Sequence, residues 1–420
     1  MKISDIRPEV YDMAAKAQER LAGRFAEIDR VAEINTRRVM EAFQNNRVAE
    51  ACFAGTTGYG YDDLGRETLD KIYAEIFGTE AALVRIGFVN GTHALTAAMF
   101  ALVKPGDTIV AVTGMPYDTL RSAIGISGDC HGSLKFYGIN YAQVDLAADG
   151  GPDYAAIAEA AAKPNVTAVM IQRSRGYDNR KALSVDEIGR ICETVKAVNP
   201  EINIMVDNCY GEFTDIKEPT HVGADIIAGS LIKNPGGGLA PTGGYVAGKK
   251  ELVERAAMRL TTPGLGGECG STLGNNRLLF QGLFMAPHTV AQALKTAVLA
   301  SRIFEKLGMK TSPAYDAPRA DIIQAVEMGT PERLIALCRG IQAASPIDSF
   351  VVPEPSEMPG YADPVIMAAG TFVGGASIEL STDAPMRAPY IAYMQGALTY
   401  EHGKIALMRV LEYLHADGCI

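Results

Sequence analysis

An aspartate and a lysine each follow a predicted strand, and both side chains are suited to acid–base or covalent chemistry. The strand INIM leads into Asp207, and the strand ADIIAGS is followed by Lys233. In open α/β sheets, ligands bind in the crevice beyond the carboxyl ends of the strands. We therefore expect Asp207 and Lys233 to face one crevice, either as a structural ion pair or as parts of an active site.

A segment suited to binding phosphate accompanies this pair. The sequence NGTHA, residues 90–94, directly precedes an apolar helix, whose free N–H groups and positive dipole end attract anions. Ser230 offers a further hydroxyl donor close to Lys233 in the sequence. A phosphate site, a carboxylate and a lysine in one crevice match pyridoxal 5′-phosphate (PLP), which is the cofactor that the sequence predicts.

The chemistry of this cofactor gives each group a role. Desolvation is expected to lower the pKa of Lys233, so that its amine can act as a nucleophile at neutral pH. Asp207, if ionised, would keep the pyridine nitrogen of the cofactor protonated and make the ring an electron sink. Tyr117 follows the strand DTIVAV and is placed to stack on the ring, with a half-buried core tyrosine as the alternative.

The segments that must position these residues alternate between short apolar runs and helical patterns over residues 81–246. Such alternation is typical of a mainly parallel sheet with helices on its faces. An amphipathic period over 10–47 predicts one or two opening helices, and a long helical pattern covers 276–307 with a break at Pro287.

The C-terminal part of the chain predicts a smaller α+β unit. Its pattern indicates a helix over 331–344 and a final helix over 388–415, with strands at 350–352 and 376–380. We therefore predict three parts of the chain: an N-terminal helical arm at 1–54, a large PLP-binding α/β domain at 55–305 and a small C-terminal α+β domain at 306–420.

The composition excludes several classes of function. The 420 residues carry 49 acidic and 39 basic side chains, and the resulting formal net charge of −10 disfavours binding to nucleic acid and anionic membrane surfaces. We find no apolar run long enough to cross a bilayer and no export signal, so we expect a cytoplasmic protein. Seven scattered cysteines without a CxxC pair predict neither disulfides nor a metal site.

Seven stretches, in chain order, resemble the fold-type I PLP enzymes of cysteine and methionine metabolism. The closest resemblance is to the methionine γ-lyase-like or "aluminium resistance" branch of C–S lyases, and VDN followed by SLIKNPGG is its most specific part. The matching stretches are GYGYDDLGRETLDKIYAEIFGTEAALVR, NGTHALTAAMF, IQRSRGY, VDNCYGEF, GSLIKNPGGGLAPTGGYVAG, LLFQGLFMAPHTVAQALK and IELSTDAPMRAPYIAYMQGALTYEHGK.

The resemblance implies a PLP-dependent transferase-like fold (fold type I), with a mainly parallel seven-stranded sheet flanked by helices and a smaller α+β C-terminal domain. It implies that Lys233 forms the Schiff base and later shuttles protons, and that Asp207 pairs with the pyridinium nitrogen. Tyr117 would stack on the ring. The residues that the resemblance implies would hold the phosphate are Gly91, Thr92 and Ser230. His93 lies in the same loop, and we expect it to act there as a donor toward the cofactor rather than as a general base.

In related lyases a tyrosine from the neighbouring subunit reaches the phosphate or the leaving group. The glycine-rich segment with Tyr59 and Tyr61 is the matching position here, with Tyr59 assigned to the cofactor and Tyr61 to catalysis. The Tyr-x-Arg spelling of the family is absent, because Asp63 stands at the second step after Tyr61. The resemblance implies a homodimer or homotetramer with active sites at the subunit interface.

An amino-acid substrate needs a cation for its carboxylate, and we expect Arg387 of the small domain to supply it through two parallel hydrogen bonds. Arg387 precedes the predicted final helix, where its charge opposes the helix dipole, and this favours a ligand role over a surface position. Arg173 and Arg175 follow the strand VTAVMIQ, where standard lyases are less charged. We assign Arg173 to the cofactor and Arg175 to the substrate.

Together these features predict a PLP-dependent carbon–sulfur lyase that acts on a sulfur-containing amino acid by β- or γ-elimination. The same machinery would serve a γ-replacement, or the elimination of a non-sulfur leaving group in specialised amino-acid biosynthesis. An aminotransferase and a PLP-binding protein without turnover also stay open. A nucleotide-binding module is disfavoured, since neither GxGxxG nor GxxxxGK[ST] is present.

Overall fold

Residues 81–248 form a seven-stranded sheet in the computed structural model, which describes residues 3–128, 131–176, 180–357 and 363–420. The strands are β1 (Ala81–Arg85), β2 (Thr108–Ala111), β3 (Asn140–Gln143), β4 (Val166–Gln172), β5 (Asn203–Asp207), β6 (Ile226–Ser230) and β7 (Gly244–Gly248). Their order is β1-β7-β6-β5-β4-β2-β3. Strand β7 is antiparallel to both neighbours and the other pairs are parallel, so the predicted mainly parallel seven-stranded sheet is confirmed.

The central strands are buried on both faces, as their sequences require. In β5, Ile204, Met205 and Val206 are all fully buried, and a continuous apolar run of this kind is stable where helices cover both faces of the sheet. The edge strand β3 has the mixed, half-exposed sequence NYAQ. It was not predicted, because it carries neither an apolar run nor a clean alternation.

The helices cover the sheet and connect it to the rest of the chain. No helix in the described ranges is long and apolar enough to span a membrane. The helices are α1 (Pro8–Glu19), α2 (Ala22–Asn45), α3 (Leu64–Ile76), α4 (Gly91–Leu102), α5 (Asp118–Ile124), α6 (Tyr154–Ala161), α7 (Val185–Val198), α8 (Lys250–Leu260), α9 (Asn276–Lys306), α10 (Pro331–Ala344) and α11 (Tyr400–Ala416).

A second sheet, entirely antiparallel, lies in the C-terminal part of the chain and packs against α10 and α9. Its five strands follow the order β10-β11-β12-β9-β8. Because α10 and α11 pack closely on each other, this part is a sheet with helices, as predicted. The strands are β8 (Lys310–Ser312), β9 (Ile323–Glu327), β10 (Val365–Ala368), β11 (Ser381–Pro385) and β12 (Ile391–Gln395).

Three predictions for the C-terminal part are wrong in detail. Residues 350–352 form no strand, and residues 376–380 lie in turns just before β11. The predicted final helix over 388–415 starts too early, because its first part forms β12. Gly396 has φ +76° and ends this strand, and α11 begins only after Thr399, whose hydroxyl caps it by accepting a hydrogen bond from the backbone N–H of His402 at 3.3 Å.

Helix α9 is continuous, so the predicted break at Pro287 is wrong. A proline inside a helix removes one backbone hydrogen bond, and burial along most of α9 offsets this loss. The backbone of α9 also touches the loop that follows Lys233. A Cβ on Gly282 would overlap the carbonyl oxygen of Gly236, and a Cβ on Gly237 would overlap the carbonyl oxygen of Gly282.

The N-terminal helices connect different parts of the molecule. Helices α1 and α2 pack on α9, and α1 also contacts α11, where Arg7 pairs with Glu412 at 2.9 Å. The seven-stranded sheet falls within 55–305 and the five-stranded sheet within 306–420. The three domain boundaries themselves stay a prediction.

We expect Gly340→Ala to lower the free energy of unfolding by about 1–3 kcal/mol, because overpacking a tight helix contact is costly. A Cβ on Gly340 of α10 would lie 2.6 Å from the Cα of Val410 in α11. The control is Gly23→Ala in α2, where a Cβ meets no atom within 4 Å. That variant should be unchanged or up to about 1 kcal/mol more stable. Urea unfolding measures both, and equal effects would contradict the close packing of α10 on α11.

Candidate active site

A cavity of about 350 Å³ lies between the carboxyl edge of the seven-stranded sheet and the five-stranded sheet. Its size falls within the range of small-molecule sites. Six of the residues predicted from the sequence line it together: Gly91, Thr92, Tyr117, Asp207, Ser230 and Lys233. The five-stranded sheet and the turns before β11 contribute Ile323, Ser377, Ser381, Asp383 and Gln395.

Asp207 is the last residue of β5, and only 6% of it is exposed. Its Oδ1 accepts a hydrogen bond from the backbone N–H of Cys209 at 3.1 Å. Burial raises the pKa of Asp207, and the nearby Lys233 partly offsets this rise. The hydrogen bond from Cys209 therefore holds the carboxyl group of Asp207 in place. Its ionisation is favoured by the neighbouring Lys233.

Lys233 follows β6 and places its Nζ 3.9 Å from the centre of the Tyr210 ring, which is a cation–π contact. Burial disfavours the charged amine, but Cys209, Tyr210 and Asp207 outweigh it, and the pKa of Lys233 lies above its ordinary value. Desolvation therefore acts in the expected direction, but in this arrangement it does not bring the pKa of Lys233 below its ordinary value. Acidic groups around a buried amine favour its protonated form.

The start of α4 forms a cradle of hydrogen-bond donors at the cavity. Asn90 caps the helix, since its Oδ1 accepts from the backbone N–H of His93 at 2.9 Å, and the N–H groups of the first turn are free of helical partners. A Cβ on Gly91 would lie 3.0 Å from the Cβ of Ser230, so a larger residue would crowd the cradle. Thr92 hydrogen-bonds the hydroxyl of Thr119 at 2.8 Å. These groups fit an anion such as phosphate.

Tyr117 lies at the cavity with Gln172, the last residue of β4. The backbone N–H of Tyr117 donates to Oε1 of Gln172 at 2.8 Å. Gln172 and Tyr210 were missed from the sequence, although both lie at or just beyond the carboxyl end of a central strand, as Asp207 does. That position is the signal that could have found them. Asp383 and Gln395 carry no comparable local signal, because short strands of the small sheet were predicted poorly.

His93 lies in the first turn of α4 and does not line the cavity. Its Nδ1 accepts from the backbone N–H of Val89 at 3.3 Å, and its ring meets the edge of Phe88. Burial, with a contribution from Arg259, lowers the pKa of His93. The ring therefore packs beside the helix start.

Arg173 is fully buried and does not line the cavity, contrary to its assignment to the cofactor. Its Nη1 donates to Oδ1 of Asn208 at 2.7 Å and to Oε2 of the fully buried Glu218 at 3.2 Å. A Cβ on Gly211 would overlap the Arg173 side chain, so the neighbouring loop wraps around this arginine. The charge of Arg173 is engaged with Glu218, behind the segment that follows Asp207.

Arg175 and Arg387 also lie outside the cavity lining. Arg175 is buried, and its Nη2 donates to the hydroxyl of Ser312 at 2.9 Å. Arg387 lies in the turn between β11 and β12, with 55% of its side chain exposed and Asp363 at 3.5 Å. The helix-dipole argument for Arg387 is wrong, because a strand rather than a helix follows it.

Tyr59 and Tyr61 lie on the surface, with exposed fractions of 70% and 49%. Their rings stack with centres 5.7 Å apart, and neither lines the cavity of its own chain. Arg66 holds the loop that carries these two tyrosines. It is fully buried and donates to the carbonyl oxygens of Gly60 and Gly270. Arg66 therefore positions this loop.

A buried carboxyl group that the sequence did not single out lies close to Lys233. Glu212 is fully buried, and its Oε1 accepts from the hydroxyl of Tyr245 at 2.9 Å. Asn208 donates in turn to that hydroxyl at 3.3 Å and to Glu218 at 3.1 Å. Burial raises the pKa of Glu212 to about 8. This network lies beneath the segment that carries Asp207.

Within the part of the chain that the structure describes, no three His, Cys, Asp or Glu side chains are grouped so as to hold a metal ion. The polar side chains that line the cavity are amides, hydroxyls and an amine, together with two carboxyl groups, those of Asp207 and Asp383. This set fits an organic ligand that carries an anionic group.

Comparisons with known proteins match this chain over nearly its whole length. A family model described as methionine gamma-lyase matches residues 10–415. The uncharacterized protein YnbB of Bacillus subtilis (strain 168) is 49% identical over 402 residues, which cover 96% of this chain and 95% of YnbB.

Two solved structures are similar in sequence and in fold. A carbon-sulfur lyase involved in aluminum resistance from Clostridium novyi NT is 51% identical to this chain. The match covers 97% of this chain and 96% of the Clostridium novyi chain, with a TM-score of 0.93. A proposed cystathionine beta-lyase involved in aluminum resistance from Clostridium acetobutylicum is 49% identical, with coverages of 98% and 96% and a TM-score of 0.94.

We expect Arg173→Met to lower the free energy of unfolding by about 3–5 kcal/mol, because it leaves Glu218 buried without its cation. The matched control is Arg387→Met, whose arginine is exposed and lies 3.5 Å from Asp363. That exposed pair should contribute less than about 1 kcal/mol. Urea unfolding compares the two variants. A similar loss in both would contradict the structural role of Arg173.

We expect Glu212→Gln to change how stability depends on pH. Burial raises the pKa of Glu212 from 4.5 to about 8. The folded state therefore keeps a proton that the unfolded state has released, and the free energy of unfolding falls as pH rises through this interval. Residue 212 cannot titrate in the variant. As pH rises through this interval, the free energy of unfolding of the variant should therefore fall by up to about 1.4 kcal/mol less per pH unit than that of the wild type.

Urea unfolding at several pH values between about 5 and 8 measures this difference. Glu193→Gln, at an exposed position on α7, is the control and should follow the wild type. Parallel curves for wild type and Glu212→Gln would contradict a protonated buried Glu212.

Proposed function

The chain belongs to the methionine gamma-lyase family, and on this premise we propose that it is a carbon–sulfur lyase that uses PLP to cleave a sulfur-containing amino acid. The products would be a thiol, a 2-oxo acid and ammonia. The observation that carries the proposal is one cavity lined by Lys233, Asp207 and the start of α4. These would anchor the aldehyde, the ring nitrogen and the phosphate of PLP.

The residues at the phosphate end of the cavity would hold the cofactor by its anionic group. The N–H groups of Gly91 and Thr92 and the hydroxyl of Ser230 line the cavity at the positive end of α4. Tyr117 would stack on one face of the ring. His93 would contribute to this end only through its place in the first turn of α4, since its ring does not line the cavity.

Asp207 would hold the proton on the ring nitrogen, because a positive ring beside the carboxyl group would counter the burial that raises the pKa of Asp207. When bound, PLP supplies an electron sink for the negative charge that develops at Cα of the substrate. Lys233 would hold the aldehyde carbon and, once released, move the proton at Cα. The commitment of Asp207 to the ring nitrogen withdraws one of the anions that raise the pKa of Lys233, and this favours the neutral amine that proton transfer needs.

The exposed pair Tyr59 and Tyr61 would complete the cavity of a neighbouring subunit in a homodimer or homotetramer. Their exposure and their rigid, Arg66-fixed loop support this role. Tyr59 would face the cofactor and Tyr61 the reacting group. The carboxylate of the substrate would require donors other than Arg175 and Arg387, since neither lines the cavity.

A sulfur leaving group is supported by the relatives. The Clostridium novyi protein is named a carbon-sulfur lyase and the Clostridium acetobutylicum protein a proposed cystathionine beta-lyase. Both cover nearly the whole chain at about half identity, so the cavity and its surroundings belong to the shared part. Cystathionine, methionine and homocysteine are the substrates to test.

We expect Lys233→Ala to lose PLP on dialysis and to release 2-oxo acid at least about 10²–10⁴-fold more slowly than the wild type, since it removes the acid–base amine. Lys71→Ala, at an exposed position on α3, is the control and should behave as the wild type. The measurements are the absorbance of retained cofactor and the rate of 2-oxo acid release from the three substrates. Unchanged turnover in Lys233→Ala, or no 2-oxo acid from any sulfur substrate, would refute the proposal.

A further inference from the structure

An aromatic ring lies against the amine of Lys233. Tyr210 follows β5 and lines the cavity together with Lys233, whose Nζ lies over the ring of Tyr210, 3.9 Å from its centre. The face of an aromatic ring carries partial negative charge and attracts a cation. The contact therefore favours the ammonium form of Lys233 inside the cavity.

The backbone holds Tyr210 in a conformation that a bulky residue rarely adopts. Its φ is +70°, in the left-handed region that favours glycine. Such a conformation is costly and persists only where the surrounding structure enforces it, commonly at functional sites. The direction of the Tyr210 side chain is thus imposed by the fold, and the contact with Lys233 is the feature that this direction produces.

The buried polar network under this segment closes the turn around Tyr210. The backbone N–H of Gly211 donates to the carbonyl oxygen of Asn208 at 2.9 Å. Arg173 packs so closely on Gly211 that a Cβ there would lie 2.5 Å from its Nε, and Arg173 donates to Asn208 at 2.7 Å. The side chains that support the strand ends therefore also set the direction of Tyr210.

The side chain of Tyr210 lies where the two sheets meet. It packs against the apolar cluster of the five-stranded sheet, which consists of Ile323, Ala325 and Tyr393. It also packs against the cluster that includes Met205 of β5. Moving the ring away from Lys233 would disturb the packing on both sides, so the two sheets together hold the ring beside the amine.

We propose that Tyr210 is a positioning residue whose ring binds the ammonium form of Lys233 after the lysine has taken the proton from Cα of the substrate. The inference rests on the proposed function, in which Lys233 moves this proton. The amine gains the proton and a positive charge, and the electron pair of the broken bond stays with the substrate. A ring face attracts the ammonium without accepting its proton, so the proton stays on Lys233 until the substrate takes it.

Other titratable groups act on the same amine. They are Cys209, Asp207 and Glu212 on the side of the large sheet, while Asp383 of β11 acts on Tyr210 from the small sheet. All four are unchanged in variants of Tyr210. A difference between such variants therefore reports the ring and not these neighbours.

Two substitutions separate the ring of Tyr210 from its hydroxyl group. Tyr210→Phe keeps the ring, and Tyr210→Leu replaces it with an apolar side chain. In the cofactor-free full-length protein, reductive methylation with isotopically labelled formaldehyde places methyl groups on Nζ of Lys233, and their NMR signals are identified by their loss in Lys233→Arg. We expect these methyl protons to resonate upfield in the wild type and in Tyr210→Phe, because the ring current shields groups above a ring face. The upfield shift should vanish in Tyr210→Leu.

A pH titration of the same signals measures the protonation of Lys233. Loss of the ring should lower the pKa of Lys233, so that the ratio of amine to ammonium at a fixed pH rises roughly two- to thirtyfold in Tyr210→Leu, the range of a cation–π contact. In the PLP-loaded protein, kcat for 2-oxo acid release should fall in Tyr210→Leu by up to about thirtyfold, since a less stabilised ammonium makes the amine a weaker base. Tyr210→Phe should behave as the wild type in both measurements.

Two controls accompany these variants. Tyr11→Leu, at an exposed position on α1, should match the wild type in the NMR shift, the titration and kcat. The methylated amine of the exposed Lys71 gives the ordinary shift within the same sample, so the wild-type protein alone tests the contact even if Tyr210→Leu does not fold.

Equal shifts for methylated Lys233 and Lys71 in the wild type would overturn the inference and leave the proposed function standing, because this measurement needs neither PLP nor turnover. A Tyr210→Phe variant with kcat as low as that of Tyr210→Leu would also overturn it, since the hydroxyl group and not the ring would then be responsible. Absence of 2-oxo acid from every sulfur substrate in the wild type would refute the proposed function, and the role in proton transfer with it.

Discussion

The electrostatic coupling between two buried side chains, Asp207 and Lys233, is the constraint on which the rest of the site depends. Each charge would be expensive to bury alone. Together they stabilise each other, as the offset in the pKa of Asp207 indicates. The adjacent strands β5 and β6 deliver both residues to one edge of the sheet, and the cap of α4 places its donors at the same edge. The cavity is thus specified by strand order before any contact with a ligand.

A layer of polar side chains beneath this pair keeps the strand ends in position. Arg173, Glu218 and Asn208 bind one another without solvent, and Tyr245 extends the network to Glu212. Nε of Arg173 and Oε2 of Glu212 have no hydrogen-bond partner among the described residues, and the loss of any member would leave further buried polar groups unpaired. The side chains that hold the site in place are therefore as polar as those that face the cavity.

The sequence predicted the large sheet well because its strands are apolar runs bounded by clear breaks, as in Ile204 to Val206. It predicted the small sheet poorly, since a strand such as β12 has the same composition as the start of a helix. Asp207 and Lys233 were found because strand ends are a local signal. The surroundings of Arg173 could not be predicted, since Glu218 and Asn208 approach it only after β4 and β5 pair. Asp383 reaches the cavity through the register of the small sheet, which no local pattern records.

The loop after Lys233 contacts α9 closely through backbone atoms. The two sides of the cavity therefore differ in how strongly they depend on side chains. Gly236 and Gly237 rest directly on the main chain at Gly282, so the lysine end is insensitive to most side-chain changes along α9. The opposite wall is made of side chains on β11 and β12. Substitutions on β11 and β12 can therefore reshape that wall, while the backbone that carries Lys233 is held by the contact with α9.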